Sequence, residues 1–149
     1  MSVSKLIVVA TRIVIVGPPG SKGNVIALTL LDTMNDEGGK FECIVVGDLI
    51  SKEINKRSEF GEKIEESLRN QSYVPDDIII QLVRTQIEAM EKDQKSWIIE
   101  GFPMTEVQAV ALQKMGIIPD KFIMLSQSQQ QTLDRLKVKY SGADAPSFL

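Results

Sequence analysis

Gly17, Gly20, Ser21, Lys22, Gly23 and Asn24 lie within one eight-residue stretch, Gly-Pro-Pro-Gly-Ser-Lys-Gly-Asn, and together they could bind phosphate. Glycines at this density let backbone N–H groups turn inward together, a helix beginning just after them adds positive potential, and Lys22 supplies a mobile cation. These are the parts of a cradle for phosphate oxygens. The alternative is a turn carrying a solvated lysine. The spacing departs from the strict pattern of Gly, four residues, then Gly-Lys-Ser/Thr: the lysine arrives one residue early, and Asn24 stands where a hydroxyl residue is usual.

Little else in the composition can do chemistry. The chain has no histidine and a single cysteine, Cys43, which excludes a histidine-based catalytic dyad, a structural zinc site and an internal disulfide. Lysine, arginine, carboxylates and backbone amides remain. A lone thiol suits a reducing compartment such as the cytoplasm, with a cytoskeletal or axonemal assembly as the alternative. A net charge of −3 gives no basic footprint for nucleic acid. The apolar runs Leu6–Val9 and Ile13–Val16 are too short and too interrupted, by Thr11 and Arg12, to span a membrane. The expectation is therefore no nucleic-acid partner and no membrane partner.

The elements that must position the loop follow from pattern. A chain of 149 residues suits one domain, which at this size buries roughly 70% of its unfolded surface. Short apolar runs predict strands at Arg12–Val16, Glu42–Val46, Ser96–Glu100 and Lys121–Leu125, and their unbroken apolar character predicts burial on both faces. Helices are expected at Gly23–Met34, Asp48–Asn55, Glu59–Asn70, Asp76–Lys92, Thr105–Met115 and Gln129–Lys139. Strand and helix alternate, so the expected fold is α/β, a parallel sheet flanked by helices. The glycine loop then sits between a buried strand and a helix, where phosphate loops belong.

At this point a family resemblance becomes specific. The loop Gly17–Gly23, then Val46-Gly47-Asp48-Leu49, Tyr73-Val74-Pro75-Asp76 and Ile99-Glu100-Gly101-Phe102-Pro103, with Gln108 beyond, occur in the order and at the spacing of the adenylate kinases. The resemblance runs from about Arg12 to Lys139 and implies a P-loop NTPase-type fold over a core of about 12–139. Residues 45–74 are the candidate monophosphate-binding region and 140–149 a tail. It also implies phosphoryl transfer from MgATP to AMP or another nucleoside monophosphate, giving ADP.

The resemblance assigns roles residue by residue. Gly17, Gly20, Ser21, Lys22, Gly23 and Asn24 take the ATP phosphates. Arg135 and Lys139 contact the transferring phosphate, and Glu100, where the family usually has Asp, orients water around Mg2+. Val46, Gly47, Ser51, Lys52, Val74, Gly101, Met104 and Gln108 form the AMP side, with Gln108 reading adenine. Other readings stay open: Glu100 as a turn-capping carboxylate, and Arg135 and Lys139 as solvated cations of a terminal helix.

Departures concentrate in the acceptor half. Met104 and Ser51 stand where the family commonly places arginines on the AMP phosphate. Lys52 is one residue away and points about 100° around the helix, and Arg57 is a further cation nearby. Lys139 keeps charge but loses the planar fork of an arginine. The Ser/Gly/Ala/Pro-containing segment 140–149 takes the place of a lid, so the sequence reads as adenylate kinase-like with the lid and C-terminal elements missing. Two expectations follow: an impaired adenylate kinase, or a nucleotide-binding or structural module of a larger assembly whose kinase fold outlives its phosphate clamps.

Overall fold

The computed structural model describes residues 10–139. Four parallel strands, β1 (Arg12–Val16), β2 (Phe41–Val45), β3 (Ser96–Glu100) and β4 (Lys121–Met124), form one sheet in the order β2-β3-β1-β4. Helices α1 (Gly23–Asp36), α2 (Val46–Lys56), α3 (Glu59–Arg69), α4 (Asp76–Lys92), α5 (Glu106–Lys114) and α6 (Gln129–Lys139) connect and follow them. The α/β class and the parallel sheet agree with the sequence expectation.

Strand alternation divides the core into two layers. Val14, Val16, Trp97, Ile99 and Ile44 point to one face and pack under Ile79, Val83, Ile87 and Met90 of α4 and Leu112 of α5. Ile13, Ile15 and Ile98 point to the other and pack with Ala27, Leu30 and Leu31 of α1. One polar assembly pins the first layer: both N–H arms of Arg12 donate to the Glu91 carboxylate at 2.8 and 2.6 Å, and the buried Trp97 indole N–H donates to the same carboxylate at 2.8 Å.

Burial on both faces holds only for the two inner strands. β1 and β3 are covered, but β2 and β4 lie at the sheet edges, and on β4 Phe122 is 51% and Met124 73% exposed. The register explains this: Phe122 and Met124 pair with Val14 and Val16, and α4 and α5 reach only as far as β1 on that face. The second strand also ends earlier than expected. Val46, β-branched and continuous with the strand run, is already the first residue of α2, so the chain passes from strand to helix with no intervening turn. The fourth strand closes at Met124, although the Leu125 N–H still donates to the Val16 carbonyl at 2.7 Å.

The order β2-β3-β1-β4 places β1 where the chain's connections change direction across the sheet. Crevices at such switch points, outside the carboxyl ends of the strands, are the favoured ligand sites of open α/β sheets.

Candidate functional site

β1 runs directly into the glycine loop. The Ser21 N–H donates to the Pro18 carbonyl at 3.0 Å, and Gly20 has a φ of +79°, the pattern of a type II turn with Pro19 and Gly20 at its centre. Lys22 follows in the left-handed region, with φ 60° and ψ 33°, as the N-cap of α1. No side chain caps this helix and its first turn carries no acidic residue. By contrast, Ser58 caps α3 and Thr105 caps α5. The opening turn of α1 therefore keeps its N–H groups free of side-chain acceptors among the described residues, beside the ammonium of Lys22.

These groups open onto a cleft of about 780 Å³. Gly17, Gly20, Ser21, Lys22, Gly23 and Asn24 line one side, and Val46, Gly47, Glu100, Gly101 and Met104 the other. Arg135, from α6, closes it over the loop, with Nη1 donating to the Gly20 carbonyl at 3.0 Å. The side chain of Lys139 lies outside the described residues.

Glu100 ends β3 on the α1 face. Burial pushes its carboxyl pKa up, with Asp48 nearby adding to the effect. Cys43, half-buried on the same face, is pushed up to about 11 by burial, with Glu100 and Asp48 contributing, so its thiol stays protonated at neutral pH. The side of the cleft opposite the glycine loop thus combines apolar side chains with two nearby carboxylates. Among the described residues lining the cleft, Lys22 and Arg135 are the cations, and both belong to the loop side.

Other residues assigned to the acceptor side lie outside the cleft lining. Ser51 and Lys52 are exposed on α2, and the Ser51 hydroxyl donates to the Gly47 carbonyl within its own helix at 3.0 Å. Val74 packs against the core. Arg57 borders a separate hollow between α2 and α3 with Glu62 and Glu65. Gln108 is 5% exposed and its amide is committed at both ends: Oε1 accepts from the Met104 N–H at 2.8 Å, and Nε2 donates to Asp76 at 2.7 Å. Asp76 also accepts from the Thr105 hydroxyl at 3.1 Å, so the start of α4 holds the turn that aims Met104. The sequence places Asp76 in the Tyr73-Val74-Pro75-Asp76 motif but gives it no role in this site, and it gives Gln127 none. The one local signal was the pairing of Pro75 with two following aspartates.

Comparison with known proteins matches residues 15–145 to a family model described as adenylate kinase. A probable adenylate kinase 2, chloroplastic, of Oryza sativa subsp. japonica is 32% identical over 93 residues, 62% of this chain and 32% of that protein. An adenylate kinase of Mycoplasmopsis pulmonis (strain UAB CTIP) is 37% identical over 95 residues, 63% of this chain and 42% of that one. Adenylate kinase 8 of Mus musculus is 30% identical over 130 residues, 86% of this chain and 26% of that one. In each case the matched stretch spans less than half of the relative's length.

Proposed function

The chain belongs to the adenylate kinase family, and from that premise we propose that its cleft binds the polyphosphate of ATP or ADP at the Gly17–Asn24 loop and carries γ-phosphoryl transfer to a nucleoside monophosphate. The observation that carries this reading is the uncapped α1 N-terminus, with Lys22 on it and Arg135 over it, facing a single cleft at the carboxyl ends of β1 and β3. A triphosphate laid along the loop meets backbone N–H groups, an ammonium and a guanidinium, all suited to spread negative charge. This is P-loop chemistry, and the first turn of α1 supplies its fixed positive end.

The reaction is in-line attack of a monophosphate oxygen on the γ-phosphorus, with the bond to the β-bridging oxygen breaking and ADP leaving. Lys22 and Arg135 hold the donor phosphates in place, and their charge opposes that developing on the leaving group. Mg2+ carried by the nucleotide supplies further charge neutralisation. The donor set fits a cation brought by phosphates rather than held by a protein cage. Among the described residues no three His, Cys, Asp or Glu side chains converge, while Glu100 and the Asn24 amide offer single oxygen donors at the cleft. The acceptor half offers a monophosphate dianion no cation among its described lining residues, so we expect AMP to bind less tightly than ATP or ADP and transfer to be slow.

No described helix is long and apolar enough to cross a membrane, and with its single cysteine the chain suits the cytoplasm. Calorimetric titration with ATP, ADP and AMP, run beside a coupled assay of ADP formation from MgATP and AMP, tests the reading. Binding of ATP with detectable transfer supports it; absence of ATP and ADP binding overturns it.

A further inference from the structure

The short polar stretch at the start of α6 does more than begin a helix. Ser128 and Gln131 form a reciprocal cap: the Gln131 N–H donates to the Ser128 hydroxyl at 3.1 Å, and the Ser128 N–H donates to the Gln131 amide oxygen at 2.9 Å. That fixes the residue just before it, Gln127, against the glycine loop. Gln127 Nε2 donates to the Pro19 carbonyl at 2.9 Å and to the Thr132 hydroxyl at 2.7 Å, while its Oε1 accepts from Arg135 Nη1 at 2.8 Å. The same Nη1 donates to the Gly20 carbonyl at 3.0 Å. The amide thus ties the Pro19 carbonyl to the arginine above it, and that arginine in turn holds the Gly20 carbonyl.

The amide can point only one way. Reversing it would set its oxygen against the Pro19 carbonyl and its NH2 against the guanidinium, replacing attractive contacts with two repulsive ones. Packing is equally close: a Cβ on Gly20 would lie 3.4 Å from the Arg135 Cβ and 3.8 Å from Gln127 Nε2. With Nη1 occupied by Gln127 and Gly20, Nη2 and Nε of Arg135 make no hydrogen bond among the described residues, and the side chain lines the cleft.

We propose that Gln127 is a positioning residue for the polyphosphate site: it holds the Pro19–Gly20 turn open and orients Arg135 so that its remaining N–H groups face the phosphates beyond the α-phosphate. This rests on the functional reading above. It makes the donor half selective for nucleoside di- and triphosphates through a group that touches no phosphate itself. A preset guanidinium loses less freedom on binding than one that must be recruited from solvent.

The test is titration of the wild-type chain, Gln127→Leu and the near-isosteric Gln127→Glu with ATP, ADP and AMP, alongside thermal melts. Gln127→Leu is expected to weaken ATP and ADP binding roughly tenfold and AMP binding less than about twofold. In the background of Arg135→Ala the same change should cost less than about threefold, because the residue it orients is gone. Gln127→Glu keeps the shape but adds a negative charge beside the loop, so its deficit should shrink between about 50 mM and about 500 mM salt, while that of Gln127→Leu should not. A merely structural glutamine would weaken all three nucleotides alike, in step with Tm and additively with Arg135→Ala, and that result overturns the proposal. Wild-type binding with unchanged affinity in both variants also overturns it and leaves the functional reading standing. Wild-type failure to bind any nucleotide removes both.

Discussion

The carboxylate of Glu100 occupies the space a side chain on Gly23 would need: a Cβ at that position would fall 2.5 Å from Glu100 Oε1. The end of β3 and the first residue of α1 are therefore matched, a long acid against a glycine. The match brings a half-buried carboxylate to the helix terminus where phosphates are expected to bind.

The stability effect of Glu100 has a definite sign. Burial, reinforced by Asp48, raises its folded-state pKa above that of the unfolded chain, so its favourable contribution exists at acid pH and is lost as pH rises through the folded pKa. Glu100→Gln should raise the Tm of the nucleotide-free chain on the order of 1–3 °C at pH 7 to 8. Near pH 4 it should give no gain. Melts across this range check it, and a pH-independent shift would point to packing instead.

Lys22→Ala should weaken ATP and ADP affinity about 10- to 100-fold, as expected for one charge-assisted hydrogen bond to phosphate. Lys22 is exposed in the free chain, so the Tm without nucleotide should barely move. Calorimetry on the variant decides, and unchanged affinity would remove Lys22 from the cradle.

Met104 lines the cleft opposite the glycine loop, on the proposed acceptor side, with half of its surface exposed. Met104→Arg adds a cation where a monophosphate otherwise meets apolar side chains and carboxylates, and should raise AMP affinity roughly tenfold with ATP affinity unchanged. A folded variant with no gain for AMP would show that the acceptor phosphate is bound elsewhere or not at all.

Far from the cleft, Glu91→Ala leaves the fully buried Trp97 indole N–H and the Arg12 guanidinium without their acceptor and should cost about 1–3 kcal/mol at pH 7. Hydrogen bonds from Arg12, and secondarily from Trp97, hold the Glu91 carboxyl below its usual range. Its contribution is therefore present above the unfolded pKa and lost as pH falls through the folded one. The gap between wild type and variant, measured by urea denaturation, should narrow steadily below about pH 4.

Much of the fold was legible because its signals are local. β1, β3, α4 and α6 fall at the expected residues, each a run whose period or flanks mark it out. The boundary at Val46 was not legible, because a β-branched residue after Cys-Ile-Val reads as more strand; only tertiary packing turns it into the start of α2. The candidate site divides in the same way. The glycine loop is contiguous and readable, but Gln108 meets Asp76 32 residues away, and Gln127 meets Pro19 at a separation of 108. Partners that distant leave no periodicity or spacing to find.

The strand order also governs when the molecule can be assembled. Arg12–Val16 pairs with nothing near it in sequence: Ile13 lies beside Ile98 on one flank and Lys121 on the other. While the chain is being synthesised, its most apolar strand must wait for Ser96–Glu100 to emerge before its hydrogen bonds can close, so contacts that span most of the described chain come last and refolding should be slow. During that wait Ile13 to Val16 is an unprotected sticky segment, the stretch that a chaperone would need to shield during biosynthesis.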